Sequence, residues 1–565
     1  MWSKVFFVCL LSALQQSSFG VDLKFRECSP RMPTAVSNWS SPYCVCNSTY
    51  CDDAPRISRP SGSFRSYVLI STSKDGLRFS TSTGSFRGSD AAPDIKPDAS
   101  ITVDPSMTYQ DILGFGAAAT DATGININSL PEAAQNEFIR SYFSEDGLEY
   151  TIIRVPMAGT DFSTRPYSYA MVENDTLLEY FALAEEDHRF KIPFIRRAMK
   201  LSRRPINLLA SPWSPSPWMK ARPTWTGSNT LKREYWHTWA FYFAKFFKEY
   251  QDQGLNFWAL TPQNEPLNAF GALPINSMEW TVEDQRDWVV NFLVPVLKKT
   301  GFENINIILV DGMRHLVPEW PQIFMNDSST RKQFAGTGVH WYLDHSYSVD
   351  RLDETHDLFP DKFIIYTESC PDYDADLGSW YRAEQFAVSI IDTLNHWVVG
   401  WLDWNMALDE RGGPNWNGNF MGAGVIVNGS AGEFYKQPTF YTMGHFSKYV
   451  PPGSVRIGTS NEGPFEIKTV AFRRPDNSTA IVFLNTHDSE RIISVSDITK
   501  GAIEFSIPET ANKKSKCNSS GMVSWSERRT GLAPLRSLDL RHLAVAVTDH
   551  SSLLGLSNYK VTYKS

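Results

Sequence analysis

The chain has 565 residues, of which 42% are hydrophobic and only 21% are charged, so its composition is that of a globular and not a disordered protein. Its formal net charge of -8 argues against a nucleic acid partner, because phosphate binding requires a basic face. The length leaves room for one large barrel with satellite domains or, equally, for several small domains.

The first twenty residues have the layout of a cleaved signal peptide. Lys4 precedes an apolar run over 5–14, and small residues occupy most of 17–20. We therefore expect the mature chain to begin near Val21 and to enter the secretory pathway. No later segment approaches the ~20 apolar residues of a membrane-spanning helix, so we expect a mature protein that is soluble or peripheral to a membrane.

Asn-x-Ser/Thr sequons follow the predicted signal peptide at seven positions. They are Asn38, Asn47, Asn174, Asn326, Asn428, Asn477 and Asn518. Sequons are glycosylation acceptors only in the secretory pathway, so we predict glycosylation at these positions as a consequence of the signal peptide.

Four cysteines lie within segment 21–57, for which we expect a small disulfide-bearing β element: Cys28, Cys44, Cys46 and Cys51. In an oxidising compartment they predict two disulfides, with three possible pairings. Cys44 and Cys46 are too close in sequence to pair with each other, which favours Cys28–Cys44 and Cys46–Cys51. A zinc site is the alternative, but the Cys-x-Cys-x4-Cys spacing lacks the usual paired Cys-x2-4-Cys motif.

Segment 106–405 alternates short apolar runs with longer amphipathic stretches, which is the rhythm of β-strands and α-helices. The eight apolar runs are 112–115, 150–155, 206–210, 257–260, 305–310, 338–341, 363–366 and 398–402. Helical candidates between them include 231–250, 282–299 and 381–394. This pattern predicts an α/β fold, a (β/α)8 TIM barrel.

The flanks of the barrel differ in character from it. Residues 58–105 and 455–508 are rich in Ser, Thr and Gly and alternate in hydrophobicity, which predicts one β-sandwich built from both parts of the chain. We expect about 406–434 to complete the N-terminal element and about 435–454 to belong to the barrel. Segment 509–565 has weak periodicity, and we assign no fold to this divergent C-terminal tail.

Two glutamates follow strands on the same predicted rim of the barrel. Glu265, between Asn264 and Pro266, follows the fourth apolar run, and Glu368 follows the seventh. Retaining glycoside hydrolysis needs such a pair, one carboxylic acid to protonate the leaving oxygen and one carboxylate to attack the anomeric carbon. The structural alternative makes Glu265 an acidic residue in the first turn of a helix that Pro266 begins, but the coincidence with Glu368 argues against it.

Other polar and aromatic side chains also end the predicted strands. They are Asp121, Arg154, Trp213, His340, Tyr342 and Trp404. Tryptophan faces stack on sugar rings and an aspartate can bind hydroxyls. Each has a structural alternative: a buried Arg154–Asp121 ion pair, rim packing for the tryptophans, and a hydrogen-bonded core histidine for His340.

Several stretches of the sequence match one known family. They are 44–51, 154–157, 208–213, 264–266, 339–344, 413–416 and 444–448, and the likeness extends over roughly 28–508. The chain resembles the lysosomal acid β-glucosidases, the glucosylceramidases of glycoside hydrolase family 30. The resemblance implies cleavage of glucosylceramide to glucose and ceramide by double displacement, with Glu265 as acid/base and Glu368 as nucleophile.

The resemblance also implies roles for the surrounding residues. Glucose binding falls to Asp121, Trp213, Asn264, Trp404 and Asn419. Arg154, His340 and Tyr342 would support the two carboxylates. Members of this family use no metal or other cofactor.

The expected setting is the lumenal side of the lysosome, at acid pH and peripheral to a membrane. The implied partners are glucosylceramide in membranes, anionic lipid, a saposin-type activator protein and a lysosomal transport receptor. Three features depart from the family: loop 371–376 is shorter, Gly159 stands where the family has a cysteine, and about 57 unrelated residues follow 503–507. Cys370 remains as a thiol without a predicted disulfide.

Three hypotheses stay open at this point. The first is the glucosylceramidase, including transfer of glucose to acceptors such as sterols. The second is a related retaining hydrolase of another β-glycoside, such as a xylan or glucan, because fold does not fix substrate. The third is an inactive glycan- or lipid-binding barrel, against which the presence of both glutamates argues.

Overall fold

The computed structural model describes residues 25–57, 66–85, 96–267, 274–371, 376–463, 467–487, 491–497, 501–507 and 542–548. The predicted signal peptide, most of the short loop after Cys370, and the sequon at Asn518 lie outside these residues. Among the described helices, none is long and apolar enough to cross a membrane.

The described residues form 22 strands, numbered here along the chain. They are β1 Pro30–Arg31, β2 Tyr43–Cys46, β3 Ser66–Ser73, β4 Ser80–Ser85, β5 Ala99–Asp111, β6 Gly114–Ala118, β7 Ile152–Met157, β8 Asn207–Pro212, β9 Ala259–Leu260, β10 Asn306–Met313, β11 Gly336–His340, β12 Phe363–Glu368, β13 Val398–Asn405, β14 Ala407–Asp409, β15 Val425–Asn428, β16 Glu433–Lys436, β17 Val455–Glu462, β18 Ile467–Arg473, β19 Thr479–Asn485, β20 Arg491–Asp497, β21 Gly501–Ile507 and β22 His542–Thr548.

Eleven α-helices accompany the strands within the same described ranges. They are α1 Asp121–Asn128, α2 Glu132–Phe143, α3 Ile192–Leu201, α4 Trp236–Asp252, α5 Val282–Trp288, α6 Val294–Thr300, α7 Glu319–Met325, α8 Ser328–Arg331, α9 Asp350–Leu358, α10 Trp380–Asn395 and α11 Pro438–Ser447. A π-helical turn, Val289–Leu293, joins α5 to α6, and another, Asp187–Lys191, leads into α3.

Strands β6 to β13 close into a parallel barrel in which each strand pairs with its neighbour in sequence and β13 pairs with β6. Every predicted apolar run overlaps one of these strands, so the predicted (β/α)8 barrel is confirmed. The runs are apolar on both sides because the strands are buried on both faces, with side chains such as Ile152, Leu209 and Ile308 fully buried inside the barrel.

A small sheet of order β1-β2-β16-β15-β14 packs beside the barrel. Its strand β2 carries two of the four N-terminal cysteines. The structure confirms both predicted disulfides, with Cα–Cα distances of 5.3 Å for Cys28–Cys44 and 4.4 Å for Cys46–Cys51.

The remaining strands form a nine-stranded sheet of order β21-β20-β5-β17-β18-β19-β22-β3-β4. It combines strands from before and after the barrel, as the sequence predicts for the β-sandwich. One strand was not predicted: β22 lies in the segment to which the sequence assigned no fold, yet all seven of its residues pair with both β19 and β3. Val545 and Ala546 of this strand are fully buried, which explains why the sheet recruits it.

Candidate active site

The carboxyl ends of the barrel strands bring the two predicted glutamates together. Glu368 is the last residue of β12, and Glu265 follows β9. A carboxylate oxygen of each, and a ring nitrogen of His340 at the end of β11, lie within 4.8 Å of one another. This separation is on the short, retaining side of the two geometries that glycosidases use.

Both carboxylate oxygens of Glu368 accept hydrogen bonds. Arg154 on β7 donates from Nη1 to one oxygen, and the hydroxyl of Tyr342 donates to the other at 2.7 Å. Arg154 is fully buried and also donates to Oδ1 of Asn264 at 2.8 Å. The Glu368 carboxylate is therefore fixed in orientation by a cation and a phenol.

Glu265 occupies a very different environment. Its side chain is buried and hydrogen-bonded to Nδ1 of His340 at 2.9 Å. Burial and the nearby charge of Glu368 raise the pKa of Glu265, although the bond to His340 acts in the opposite direction. A carboxyl group that keeps its proton is what general acid catalysis requires.

The backbone at Glu265 is strained, with φ of 44°. Its N–H donates to the carbonyl of Asp311 at 2.8 Å, which holds this conformation. Residues 264–267 form a bend and a turn, so the alternative of a first-turn helix residue is wrong.

Asp311 was not predicted, yet it connects most of the site. Its carboxylate accepts from Arg154 at 2.9 Å, faces Nε2 of His340 at 3.0 Å, and accepts from Thr261 and Thr367. Despite burial, these partners lower the pKa of Asp311. Burial is likewise outweighed at His340, where Glu368, Asp311 and Glu265 raise the pKa to about 9.

A β-bulge in β10 explains why sequence periodicity did not reveal Asp311. The register with β11 shifts between Val310 and Gly312, and both Val310 and Asp311 have positive φ angles, of 71° and 49°. A bulge breaks the two-residue alternation of a strand and re-aims one side chain, here into the barrel interior.

The predicted tryptophans meet above Arg154. The rings of Trp213 and Trp404 stack with centroids 5.0 Å apart, and the guanidinium carbon of Arg154 lies 4.9 Å and 5.3 Å from them. The structure therefore places these three residues together, and the two tryptophans form an aromatic wall beside the arginine that binds Glu368.

Asp121 has other partners than those expected for it. Its carboxylate accepts from Ser163 at 2.6 Å and from Tyr167, and lies 3.5 Å from the buried amine of Lys191. It forms neither the ion pair with Arg154 nor a contact with the paired glutamates. These partners lie in the loop after β7 and in the π-helical turn before α3, so Asp121, the first residue of α1, connects α1 to both.

Asp161, in that loop, was not predicted from the sequence and lies near the two glutamates. Its carboxylate accepts from the amide of Asn419 at 2.9 Å. Burial, together with the charges of Glu368 and Glu265, raises the pKa of Asp161 to about 7. Oδ1 of Asn419 is buried without a hydrogen-bond partner, so it is an acceptor for a ligand hydroxyl. Asp161 follows β7 by four residues, too far for the strand-end rule to find it.

The geometry suits proton transfer better than metal binding. Glu265, His340 and Glu368 have the spacing of metal ligands. However, both ring nitrogens of His340 face carboxylates, and both oxygens of Glu368 accept from Arg154 and Tyr342. The buried guanidinium also opposes a second cation at this place.

A parallel eight-stranded barrel with two close carboxylates in unlike environments at its catalytic rim is the construction of a glycoside hydrolase. The chain belongs to glycosyl hydrolase family 30: residues 112–450 match the TIM-barrel domain of that family and residues 453–513 match its beta sandwich domain. The family resemblance predicted from the sequence is thus confirmed.

Individual proteins are similar over most of their length. The chain is 39% identical over 482 residues to a Mus musculus protein named lysosomal acid glucosylceramidase, covering 83% of this chain and 92% of that protein. It is 38% identical over 506 residues to putative glucosylceramidase 4 of Caenorhabditis elegans, covering 87% and 95%. The crystal structure of SrfJ from Salmonella typhimurium has a TM-score of 0.75 at 25% identity, covering 86% of this chain and 100% of that chain.

Proposed function

We propose that this protein is a retaining β-glucosidase that hydrolyses glucosylceramide to glucose and ceramide. The observation that carries the proposal is the unequal pair of carboxylates within 4.8 Å, with Glu368 hydrogen-bonded by Arg154 and Tyr342 and Glu265 buried against His340. The similarity to proteins named glucosylceramidases supports the choice of substrate.

In the first step, an oxygen of Glu368 attacks the anomeric carbon of the glucose unit. The bond from that carbon to the ceramide oxygen breaks, and Glu265 gives its proton to this oxygen, so that ceramide leaves and a glycosyl ester of Glu368 remains. In the second step, Glu265 removes a proton from water as the water oxygen attacks the same carbon. Glucose leaves with the β configuration, and both glutamates return to their starting protonation states.

Asp161, Asn419 and Asn264 are proposed to bind the glucose hydroxyls, with the wall of Trp213 and Trp404 against the ring. Asp121, which the resemblance assigns to glucose binding, is kept in this proposed set, and Asp161 is added to it because its carboxylate meets Asn419 beside the glutamates. Arg154, His340 and Tyr342 are proposed to hold the two carboxylates in place.

The finer parts of the function rest on family resemblance. We propose action at a membrane surface on the lumenal side of the lysosome, with anionic lipid, a saposin-type activator and a lysosomal transport receptor as partners. Transfer of glucose to sterols is proposed as a side reaction in which a sterol hydroxyl replaces water. Glycosylation is proposed at the sequons, of which Asn38, Asn174, Asn326 and Asn477 are exposed.

The test combines a mechanism-based glycosylating reagent with a nucleophile variant. We expect the reagent to label Glu368 of the wild type, and Glu368→Gln to lose both labelling and turnover of glucosylceramide while keeping its thermal unfolding midpoint within a few degrees. Glu283→Gln, at an exposed glutamate of α5, is the matched control and should behave as wild type.

Near-normal turnover by folded Glu368→Gln would overturn the mechanism. A substrate panel decides between the hypotheses: faster hydrolysis of a xylan or a β-glucan than of glucosylceramide would favour the second, and no labelling of a folded wild-type protein would favour the inactive barrel.

A further inference from the structure

A polar cavity lies at the opposite end of the barrel from Glu265 and Glu368. It has a volume of ≈ 210 Å³ and is lined by Arg56, Ile57, Glu145, Glu149, Arg204, Lys448, Tyr449 and Arg474. Glu145 and Glu149 lie between α2 and β7, and Arg204 lies between α3 and β8. Loops that run from a helix to the next strand form the amino-terminal face of a barrel, whereas catalysis occurs at the carboxyl-terminal face.

Three parts of the molecule meet around this cavity. Arg56 belongs to the segment after the disulfide-bearing element, Arg204 and Lys448 belong to the barrel and its last helix, and Arg474 belongs to the turn between β18 and β19. Tyr449 donates to the carbonyl of Pro55 at 3.2 Å, which closes one side.

Cations outnumber carboxylates in the lining, by four to two. Glu149 is shared between Arg204 at 3.0 Å and Lys448 at 3.4 Å. Glu145 pairs with Arg56 at 3.0 Å and also with Arg203 just outside the cavity.

The carboxylates behind the lining do not remove this excess. Asp146 pairs with Arg56 at 2.7 Å, and Asp476 lies 3.6 Å from Arg474, beyond good hydrogen-bonding distance. With Arg203 included, five cations face four carboxylates in this region. Among the described residues, the cations around the cavity therefore exceed the carboxylates by one.

Arg474 has unused hydrogen-bonding capacity. Its side chain is 12% exposed, its Nη1 donates to Ser478 at 3.1 Å, and its Nε is buried without a partner. A buried donor without an acceptor is costly and points to a ligand that the site can take. Lys448 also responds to the surrounding positive charge. Burial is the main cause that lowers the pKa of Lys448 to about 8, and repulsion by Arg204 lowers it further.

We propose that this cavity binds a tetrahedral oxyanion of the phosphate or sulfate class. Its volume equals that of about seven liquid waters, enough for one such ion and part of its hydration shell. Arginine is suited to this task because its planar guanidinium donates to two oxygens at once. The ion would accept hydrogen bonds from Arg474 of the nine-stranded sheet and from Arg204 and Lys448 of the barrel. It would thereby stabilise the packing of the sheet against the barrel, at a distance from Glu265 and Glu368.

The test measures thermal unfolding of the full chain against inorganic phosphate and against sulfate, at pH 6.5 and constant ionic strength set with sodium chloride. We expect a saturable rise of the midpoint by about 2–4 °C for the wild type, since a ligand that binds the folded state stabilises it. Arg474→Gln should lose the rise, and Arg233→Gln, at an exposed arginine of the 3-10 turn before α4, should keep it.

Isothermal titration with phosphate gives a second readout if Arg474→Gln folds poorly. Arg474→Lys keeps the charge but not the paired donors, and should bind phosphate about ten-fold more weakly, as the loss of one charge-assisted hydrogen bond predicts. If glycerol 3-phosphate binds as tightly as inorganic phosphate, the site accepts a phosphate group that belongs to a larger molecule. If only the inorganic ions bind, the ligand is a free ion. Equal midpoint rises in wild type and Arg474→Gln, or none with either anion, would overturn the proposal.

Discussion

Two glutamates with the same side chain receive different tasks from their neighbours. Glu368 is an acceptor for a guanidinium and a phenol, while Glu265 is buried beside an imidazole that is itself held by Asp311. The contrast in environment, not the residue type, separates the proposed nucleophile from the proposed acid.

Glu265→Gln tests the acid role. A glutamine keeps the shape but cannot donate a proton to the leaving oxygen, so kcat for glucosylceramide should fall by roughly 10²–10⁴. A β-glucoside with a nitrophenol leaving group needs no such proton, and its glycosylation step should fall far less in pre-steady-state measurements. Equal losses for both substrates would contradict the assignment.

Asp161 and Asp121 form a matched pair for a second prediction. Asp161→Asn removes a carboxyl group proposed to bind a sugar hydroxyl, so kcat/KM should fall by about ten-fold, the equivalent of one hydrogen bond. Asp121→Asn instead weakens the buried pairing of Lys191 and should lower the unfolding midpoint. Steady-state kinetics and calorimetry on both variants check this, and an unchanged kcat/KM in folded Asp161→Asn would contradict the role of Asp161.

Strand-end reasoning predicted the residues that lie on a strand or just after it, and it missed Asp311 and Asp161. Glu368, Arg154 and His340 lie on β-strands and were predicted. Asp311 was missed because a bulge changes which side chains face inward, and Asp161 because its position depends on a loop held by Ser163 and Asp121.

Among the elements, the barrel strands were predictable because burial on both faces makes them continuous apolar runs. The π-helical turn between α5 and α6 falls inside the single predicted helix 282–299, since a local change of hydrogen bonding leaves little trace in periodicity. The sequence of β22 places Leu543, Val545 and Val547 at every second position, which is a strand pattern. This single short run lies in a tail of weak periodicity, and the sequence does not indicate which strand it would pair with.

Deleting residues 542–565 tests the importance of β22. The deletion would leave β19 and β3 with unpaired backbone groups and uncover the core around Val545, so we expect aggregation or a loss of secreted protein. Deletion of 549–565 alone keeps β22 and is the control. Equal yield and equal unfolding midpoints for the two truncations would contradict the pairing.

Acid pH should stabilise the folded chain as a whole. Burial raises the pKa of Asp161 and of Asp344 to about 7, so between about pH 4 and pH 7 the folded state binds more protons than the unfolded state. The contribution of these groups is complete below their unfolded pKa and is lost as the pH rises through 7. The lowered pKa values of Lys220, about 7, and Lys448, about 8, act in the opposite direction only from near pH 7 upwards.

Calorimetry at pH 5 and pH 6.5 checks this expectation. The unfolding midpoint should be higher at pH 5, and Asp161→Asn should reduce the difference between the two values because the amide does not titrate. A midpoint that rises from pH 5 to pH 6.5 would contradict the expected direction.

The position of β22 has a consequence for biosynthesis. A ribosome makes the chain from its N-terminus, yet β3, formed from residues near 70, pairs with a strand formed from residues near 545. Almost the entire polypeptide must therefore be synthesised before this sheet can close, and the edges of β3 and β19 stay open until then. Such long-range pairing is slow and exposed to misassembly, so the nascent chain should depend on chaperones for β3 during translation, even where the barrel has already folded.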